Sequence, residues 1–235
     1  MYPSFYLDDN ELGEDGCKTI TSQKWPLTEL GLGKNFIGPK GCKALEEANL
    51  QNITILDLSA NNIFPDGCKS LRQYDLPNLA NLSISENNIR AEGCLALQDT
   101  NWEHIHTLDI GLNNLYPEGA RNIAEIPWKN LTILNIRLNK IQAQGIKFLK
   151  RADWKHLREL NMEYNNIRDE GCLWLVKTNF PELRKLLLTG NNIYDKGLKH
   201  LTIGGWKHLN ELILTNNEFT EIGLRFLYQE GFKEL

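Results

Sequence analysis

The sequence lacks most of the features that would assign it to a membrane, to a secretory route or to nucleic acid. Its 235 residues include no run of about 18 apolar residues, so we expect no membrane-spanning segment. The start, residues 1–9, has neither a basic segment nor a long apolar segment, which predicts no signal peptide on the chain as given. The net charge of −4 gives no reason to expect nucleic acid as a partner.

Catalytic and metal-binding motifs are missing as well. The chain contains no G-x-S-x-G, no H-E-x-x-H, no glycine-rich phosphate loop and no C-x-x-C. His104, His156 and His208 recur at intervals too wide for one zinc ion, whose ligands lie about 2 Å from it. His104 and His106 leave a two-ligand edge open as an alternative. We therefore predict no enzyme, no cofactor and no metal.

What the sequence does contain is a repeat of fixed length. An asparagine recurs every 26 residues, at Asn35, Asn61, Asn87, Asn113, Asn139, Asn165, Asn191 and Asn217. An earlier copy is centred on Asn10, and Phe232–Leu235 begins a further one. Self-similarity at such a period is typical of solenoid proteins, in which each repeat stacks on its neighbours.

Each repeat combines two periodicities. Aliphatic residues five and three positions before the asparagine, such as Leu134 and Ile136, alternate as in a short strand. Beyond a glycine six positions after the asparagine, apolar residues such as Ile146 and Leu149 have the spacing of one helix face. Strands stack about 4.8 Å apart and helices about 8–10 Å apart, so the pattern predicts a curved solenoid with the strands on its concave side.

The pattern L-x-x-L-x-L-x-x-N-x-I-x-x-x-G-x-x-x-L resembles the leucine-rich repeat, and the helix-containing form resembles its ribonuclease-inhibitor-like subclass. The resemblance covers nearly all of the chain. It implies an α/β fold, a right-handed horseshoe with a parallel β-sheet on the concave face and α-helices on the convex face. It also implies one domain over residues 1–235, with about nine strand–helix repeats and an incomplete C-terminal repeat.

Three repeat columns have a structural explanation. The cysteines all follow the repeat glycine, where other repeats carry Ala, Ile or Leu, so we expect buried, reduced thiols. An aromatic column is predicted to pack where the chain returns from helix to strand, with a ligand cage as the alternative. Its members are Trp102, Trp128, Trp154, Phe180, Trp206 and Phe232.

The repeat asparagines are predicted to form hydrogen bonds with the backbone N–H and C=O groups of the turn, since an amide offers both a donor and an acceptor.

The variable strand positions that face outward remain as candidate binding residues. They are small in the first repeats, as at Gly31 and Ser59, and become apolar, aromatic or charged over residues 107–216. Exposed apolar groups rimmed by charge are typical of interface hot spots. For Leu112 and Leu138, packing into the turn is the alternative. The predicted partner-binding residues are Asp109, Leu112, Asn135, Arg137, Leu138, Asn161, Glu163, Tyr164, Leu187 and Ile213.

Charge is distributed unevenly along the chain. Residues 1–118 contain 8 Lys and Arg against 17 Asp and Glu, whereas residues 119–235 contain 18 against 13. Such polarity can orient a partner of opposite polarity, and a solvated face without function is the alternative. Nucleic-acid binding along the basic half is disfavoured because Glu159, Glu163 and Glu211 interrupt it.

Together these observations predict a protein–protein interaction module that binds another protein through its concave face. An intracellular adaptor or inhibitor, or a bacterial effector, would fit the resemblance, and the unpaired cysteines predict a reducing cytoplasm, or the host cytosol for a secreted effector. The alternative is a GTPase-activating protein similar to the leucine-rich activator of Ran. We expect no nucleic acid and no membrane as partners. Because the chain stops within a repeat, we expect either a longer natural chain or an open C-terminal end, and we predict a monomer or weak self-association through that end.

Overall fold

A computed structural model describes residues 3–100 and 102–228, in which each repeat forms one three-residue strand and one short helix. The strands are β1 Ser4–Tyr6, β2 Glu29–Gly31, β3 Ile55–Asp57, β4 Asn81–Ser83, β5 Thr107–Asp109, β6 Ile133–Asn135, β7 Glu159–Asn161, β8 Lys185–Leu187 and β9 Glu211–Ile213. The helices are α1 Gly13–Ser22, α2 Gly38–Leu45, α3 Phe64–Leu71, α4 Arg90–Ala96, α5 Tyr116–Ala124, α6 Gln142–Leu149, α7 Arg168–Leu175, α8 Asp195–Leu201 and α9 Glu221–Phe226. We number the strand–helix modules 1 to 9 accordingly.

All these strands lie in one parallel sheet, in chain order from β1 to β9. The register is constant: Leu108 stands opposite Leu134, and Leu134 opposite Leu160, one repeat length apart. The predicted α/β solenoid is therefore confirmed. The predicted further copy, Phe232–Leu235, lies outside the described residues.

The core lies between the sheet and the helices and is filled by the repeat's aliphatic columns. Leu134 and Leu149, from the strand and the helix of module 6, are both fully buried. Burial of one such side chain contributes about 1.5–3 kcal/mol. Since a lone module exposes both faces of this core, it is the stacking of neighbours that removes the core from water.

The cysteine column is buried, as predicted. All five thiols are free, and each has zero exposure. The Sγ of Cys42 lies 3.3 Å from the position that a Cβ on Gly67 would occupy, so the thiol of one module packs against the glycine of the next. Burial raises the pKa of Cys17 to about 12 and raises the pKa values of the other four thiols as well. The thiols are therefore protonated and inert at neutral pH.

The aromatic column packs where the chain returns from helix to strand. Trp102 and Trp128 are 2% exposed and stack with their ring centroids 6.4 Å apart. Trp154 and Phe180 are buried in the same way, with a separation of 6.0 Å. Because these rings lie inside the solenoid, they contribute packing rather than a ligand cage. Phe232, at the end of the column, lies outside the described residues.

The repeat asparagines form a continuous hydrogen-bonded ladder. The Oδ1 of the fully buried Asn139 accepts hydrogen bonds from the backbone N–H groups of Asn113 (2.8 Å) and Leu115 (3.4 Å) in the preceding module. Its Nδ2 donates to the carbonyl of Ile110 (2.9 Å) and to two carbonyls of its own module. The predicted scaffold role of this column is thus confirmed, and each rung joins two modules.

The turn around each rung uses left-handed backbone. Leu138 and Lys140, on either side of Asn139, have φ values of 55° and 54°, and Gln142 has 59°. A residue other than glycine pays about 1–2 kcal/mol for this conformation. The ladder bonds and the burial of the rung hold the backbone there, so the chain turns from strand to helix within seven residues.

Candidate functional site

The concave face is formed by the first and third residue of each strand and by the two residues that precede each ladder asparagine. In β5 the central Leu108 is fully buried, whereas Thr107 and Asp109 are only partly covered. Because side chains alternate along a strand, the outer two point away from the core. The ten predicted binding residues all occupy concave positions of modules 5 to 9.

Three of the predicted residues have a structural role in their own module. The Oδ1 atoms of Asp109, Asn135 and Asn161 accept a hydrogen bond from the backbone N–H two residues further on, at 2.9, 3.1 and 3.0 Å. Asp57 does the same in module 3, at 2.8 Å. This is the local bond by which Asp and Asn terminate a strand. It occupies one oxygen of each side chain and leaves its other polar atom on the concave surface.

Asp109 is a partly buried carboxylate whose ionised form is disfavoured by its surroundings. Burial raises its pKa above the ordinary value. The Gly111 N–H, the Asn135 side chain and the Arg137 charge oppose that rise, and the carboxylate of Asp57 reinforces it. The hydrogen bonds and the positive charge of Arg137 thus offset only part of the cost of burying the Asp109 carboxylate.

Arg137 and Tyr164 each lie across a glycine of a neighbouring module. The Cγ of Arg137 lies 3.1 Å from the position of a Cβ on Gly111, one module back. The ring of Tyr164 occupies the space of a Cβ on Gly190, one module forward, and its hydroxyl accepts a hydrogen bond of 3.3 Å from Asn216. Tyr164 is still 43% exposed. It therefore spans three modules as a fixed aromatic surface.

For Leu112 and Leu138 the sequence left two interpretations open, exposure for binding and packing into the turn. Both are half-buried, and both hold a left-handed backbone, with φ values of 54° and 55°. Each keeps part of its surface exposed, and they occupy in modules 5 and 6 the repeat position that Tyr164 holds in module 7.

Apolar residues are grouped on the last strands of the sheet. Leu187 stands opposite Ile213 in the register of β8 and β9, and both are half-buried. Next to them Lys185 and Glu211 form an ion pair of 3.3 Å. Glu163, also half-buried, lies 3.4 Å from the Nδ2 of Asn161. An apolar strip bordered by opposite charges thus runs along this end of the concave face.

One concave column is missing from the predicted residues. Ile133, the first residue of β6, is 37% exposed and lies two positions before Asn135 on the same side of the sheet. The alternation of side chains along the strand would have identified it, together with Thr107 and Lys185 in the same column. In the sheet register Ile133 stands between Thr107 and Glu159, so it adds a separate exposed apolar side chain to the middle of the concave face.

Two of the histidines have polar partners in the structure: Nδ1 of His106 bonds to the backbone oxygen of His104, and His156 bonds to Glu182. Nδ1 of His156 lies 2.9 Å from Glu182, and Arg158 lies 3.3 Å from the same carboxylate. The bond from His156, followed by Arg158, lowers the pKa of Glu182. Among residues 3–100 and 102–228, no three His, Cys, Asp or Glu side chains are grouped so that they could hold a metal ion. None of the helices described for the chain is long and apolar enough to cross a bilayer.

A single sheet with its strands in chain order, each backed by a helix, defines a strand–helix solenoid of the kind that presents an extended surface to a ligand. The family model described as Leucine Rich repeat matches residues 49–71, 103–124, 129–150 and 155–175. These four segments are leucine-rich repeats, as the sequence pattern predicted, and proteins built from this repeat are in general binding modules without catalytic activity. No curated protein matches its sequence.

Solved structures share this fold at low identity. The chain resembles that in the crystal structure of a TLR13–ssRNA13 complex, with 20% identity and a TM-score of 0.55 over 94% of this chain and 29% of that one. It resembles an internalin (inlF) from Listeria monocytogenes, with 20% identity and a TM-score of 0.52 over 96% of this chain and 70% of that one. The leucine-rich repeat-containing protein LegL7 from Legionella pneumophila has 14% identity and a TM-score of 0.49, over 99% and 97% of the two chains.

Proposed function

We propose that the chain binds another protein through the concave face of modules 5 to 9, as a binding module of the ribonuclease-inhibitor-like kind. The observation that carries this proposal is the change in the concave columns along the solenoid. In the column two positions before the ladder asparagine, modules 2 to 4 present Gly33, Ser59 and Ser85, whereas modules 6 and 7 present Arg137 and Glu163. One position later, module 3 has Ala60 and module 7 has Tyr164. Positions that vary while the repeat columns stay constant are free to serve binding, even where Asp109, Asn135 and Asn161 also bond to their own strand ends.

Tyr164 supplies the feature that an interface hot spot requires. Its ring is fixed by Gly190 and Asn216 and remains 43% exposed, so binding would order little that is not already ordered. Leu187 and Ile213 offer apolar area beside it, and Arg137 and Glu163 supply charges of both signs. An intracellular adaptor, an inhibitor or a delivered effector could each use such a surface, since each acts by occupying its partner. The five buried, unpaired thiols support a reducing compartment.

The test compares the proteins that two triple variants capture from a cytosolic lysate, measured by quantitative mass spectrometry. The concave variant is Arg137→Glu/Tyr164→Ala/Ile213→Lys. The matched control makes the same chemical changes at exposed positions away from the concave face, Arg90→Glu/Tyr116→Ala/Ile222→Lys.

We expect a protein that both the wild type and the control capture and that the concave variant loses, with the circular dichroism spectra of all three unchanged. Identical captures by all three proteins would contradict the proposal. A partner lost only by the control would move the binding surface to the ridge where strands turn into helices.

A further inference from the structure

The outer face of α6 to α8 differs in charge from the rest of the helix layer. Residues 142–152, 168–178 and 194–204 contain seven Lys or Arg against three Asp or Glu. The equivalent stretches around α2 to α4, residues 38–48, 64–74 and 90–100, contain five of each. The helix layer is therefore balanced over the early modules and positive over modules 6 to 8.

The excess of positive charge over modules 6 to 8 arises in part because carboxylates of the early modules are replaced there by neutral or basic residues. A lysine or arginine eight positions after the ladder asparagine recurs in most modules. In modules 2 and 3 it forms an ion pair with a carboxylate three residues away in the chain. Lys43 lies 2.5 Å from Glu46, and Lys69 lies 2.7 Å from Asp66. At the positions equivalent to these two carboxylates, module 6 carries Lys150 and Gln144. Its own cation, Lys147, is left without that neutralisation.

The seven cations of these stretches are exposed and have no carboxylate within 4.0 Å in the part of the chain that the structure describes. Arg168, at the start of α7, donates a hydrogen bond to Asn166 instead. We call the other six the convex basic patch: Lys147, Lys150, Arg151, Lys177, Lys196 and Lys199. The pKa of His200, which lies among them, is lowered, mainly by burial and then by Lys196, with Lys177 and Lys199 adding to it and Asp169 opposing it. The histidine thus responds to the positive potential of the patch.

Aromatic rings lie between these cations. The Nζ atoms of Lys147 and Lys177 lie 5.1 and 4.6 Å from the centroid of the Trp174 ring. Arg151 lies 5.8 Å from the centroid of Phe148. These cation–π contacts hold the stems of the long side chains against the rings and fix the charges in one layer.

Against the expectation from the sequence that no membrane is a partner, we propose that the convex basic patch binds peripherally to the anionic surface of a lipid bilayer. Neighbouring helices of the layer are about 8–10 Å apart, so α6 to α8 present the charges over a shallow, outward-curving surface that a flat bilayer can touch at once. Five of the six cations are lysines, which act as point charges on a charged plane rather than as bidentate forks for single phosphates.

The apolar groups beside the patch favour a bilayer over nucleic acid. Ile203 is 67% exposed and occupies, in module 8, the repeat position held by Arg151 and Lys177 in modules 6 and 7. Apolar side chains next to lysines suit the boundary between headgroups and acyl chains. Single-stranded nucleic acid gains much of its affinity from bases stacked on free aromatic faces, whereas Trp174 and Phe148 are already covered by the chain's own cations.

The experiment measures co-sedimentation of the protein with phosphatidylcholine vesicles, with or without about 30% phosphatidylserine, at about 0.1 M salt. The patch variant is Lys147→Gln/Arg151→Gln/Lys177→Gln. The matched control, Lys18→Gln/Lys43→Gln/Lys69→Gln, removes the same charge from lysines that carboxylates already neutralise.

Each unpaired cation near an anionic surface changes partitioning about fivefold, so we expect the patch variant to bind about 100-fold more weakly and the control to change less than about threefold. Equal binding to neutral and anionic vesicles would overturn the proposal. Tighter binding to a single-stranded RNA oligonucleotide or to duplex DNA than to the anionic vesicles, lost in the same variant, would reassign the patch to nucleic acid. Circular dichroism establishes that both variants keep their fold, and the concave variant described above is expected to bind vesicles as the wild type does.

Discussion

Replacement of a central rung of the asparagine ladder is the most direct test of how the modules are joined. Asn139→Ala removes one oxygen that accepts two backbone N–H groups and one amide that donates to three carbonyls. Each buried N–H left without a partner costs about 1–3 kcal/mol, which gives about 2–6 kcal/mol for the two. Because the space left by the amide is polar and can admit a water molecule, we expect the lower part of this range, about 2–4 kcal/mol.

The end of the ladder supplies the matched control. Asn10 is exposed, and its amide donates to the carbonyls of Leu7 (3.0 Å) and Asp8 (2.9 Å), which water can also reach. Asn10→Ala should therefore cost less than about 1 kcal/mol.

The assay is urea unfolding followed by circular dichroism and by tryptophan fluorescence, with both variants measured beside the wild type. Solenoids can unfold in parts, so the two signals are compared before a single free energy is derived. A loss below about 1 kcal/mol for Asn139→Ala, or equal losses for the two variants, would refute the view that the buried ladder stabilises each joint between modules.

Three further predictions concern single positions. Asp109→Asn keeps the acceptor for Gly111 and removes a carboxylate whose pKa burial raises, so the variant should be more stable at pH 7, and its advantage in thermal unfolding should vanish in acid, where the wild-type carboxyl is protonated. The thiols should react with a thiol reagent such as DTNB only as fast as the protein unfolds; rapid labelling of native protein would contradict their burial. Gly190→Ala should cost about 1–2 kcal/mol for its φ of 66° and displace the Tyr164 ring, seen as a change in tyrosine and tryptophan near-ultraviolet circular dichroism, whereas a silent substitution would show that the ring does not rest there.

The fold could be predicted from the sequence because every structural position is repeated along the chain. One cysteine or one tryptophan is ambiguous, but a column that accepts Cys17 in one repeat and Ala120 in another must be a buried apolar position. The ladder asparagines were predictable for the same reason, since the repeat shows that each stands at the same turn.

The candidate site was predictable only as a set of positions. That Asp109 and Asn161 bond to their own backbone follows from how each strand ends, which depends on torsion angles that the residue types alone do not specify. Tyr164 owes its orientation to Gly190, 26 residues later, and to Asn216, 52 residues later. The contacts of Tyr164 are made by individual residues and do not recur in the other modules, so the repeat pattern does not help to predict them.

The constant register between modules also bears on how such a protein can change over generations. Each rung bonds within its own module and to the modules directly before and after it, and every strand pairing from β2 onward joins residues 26 apart. Recombination that duplicates or deletes a whole unit at a rung would recreate the same bonds at the new joint. A one-residue insertion within a strand would instead turn its leucines outward. Selection can therefore lengthen, shorten or reorder the concave surface in whole units, while the joints themselves tolerate almost no change.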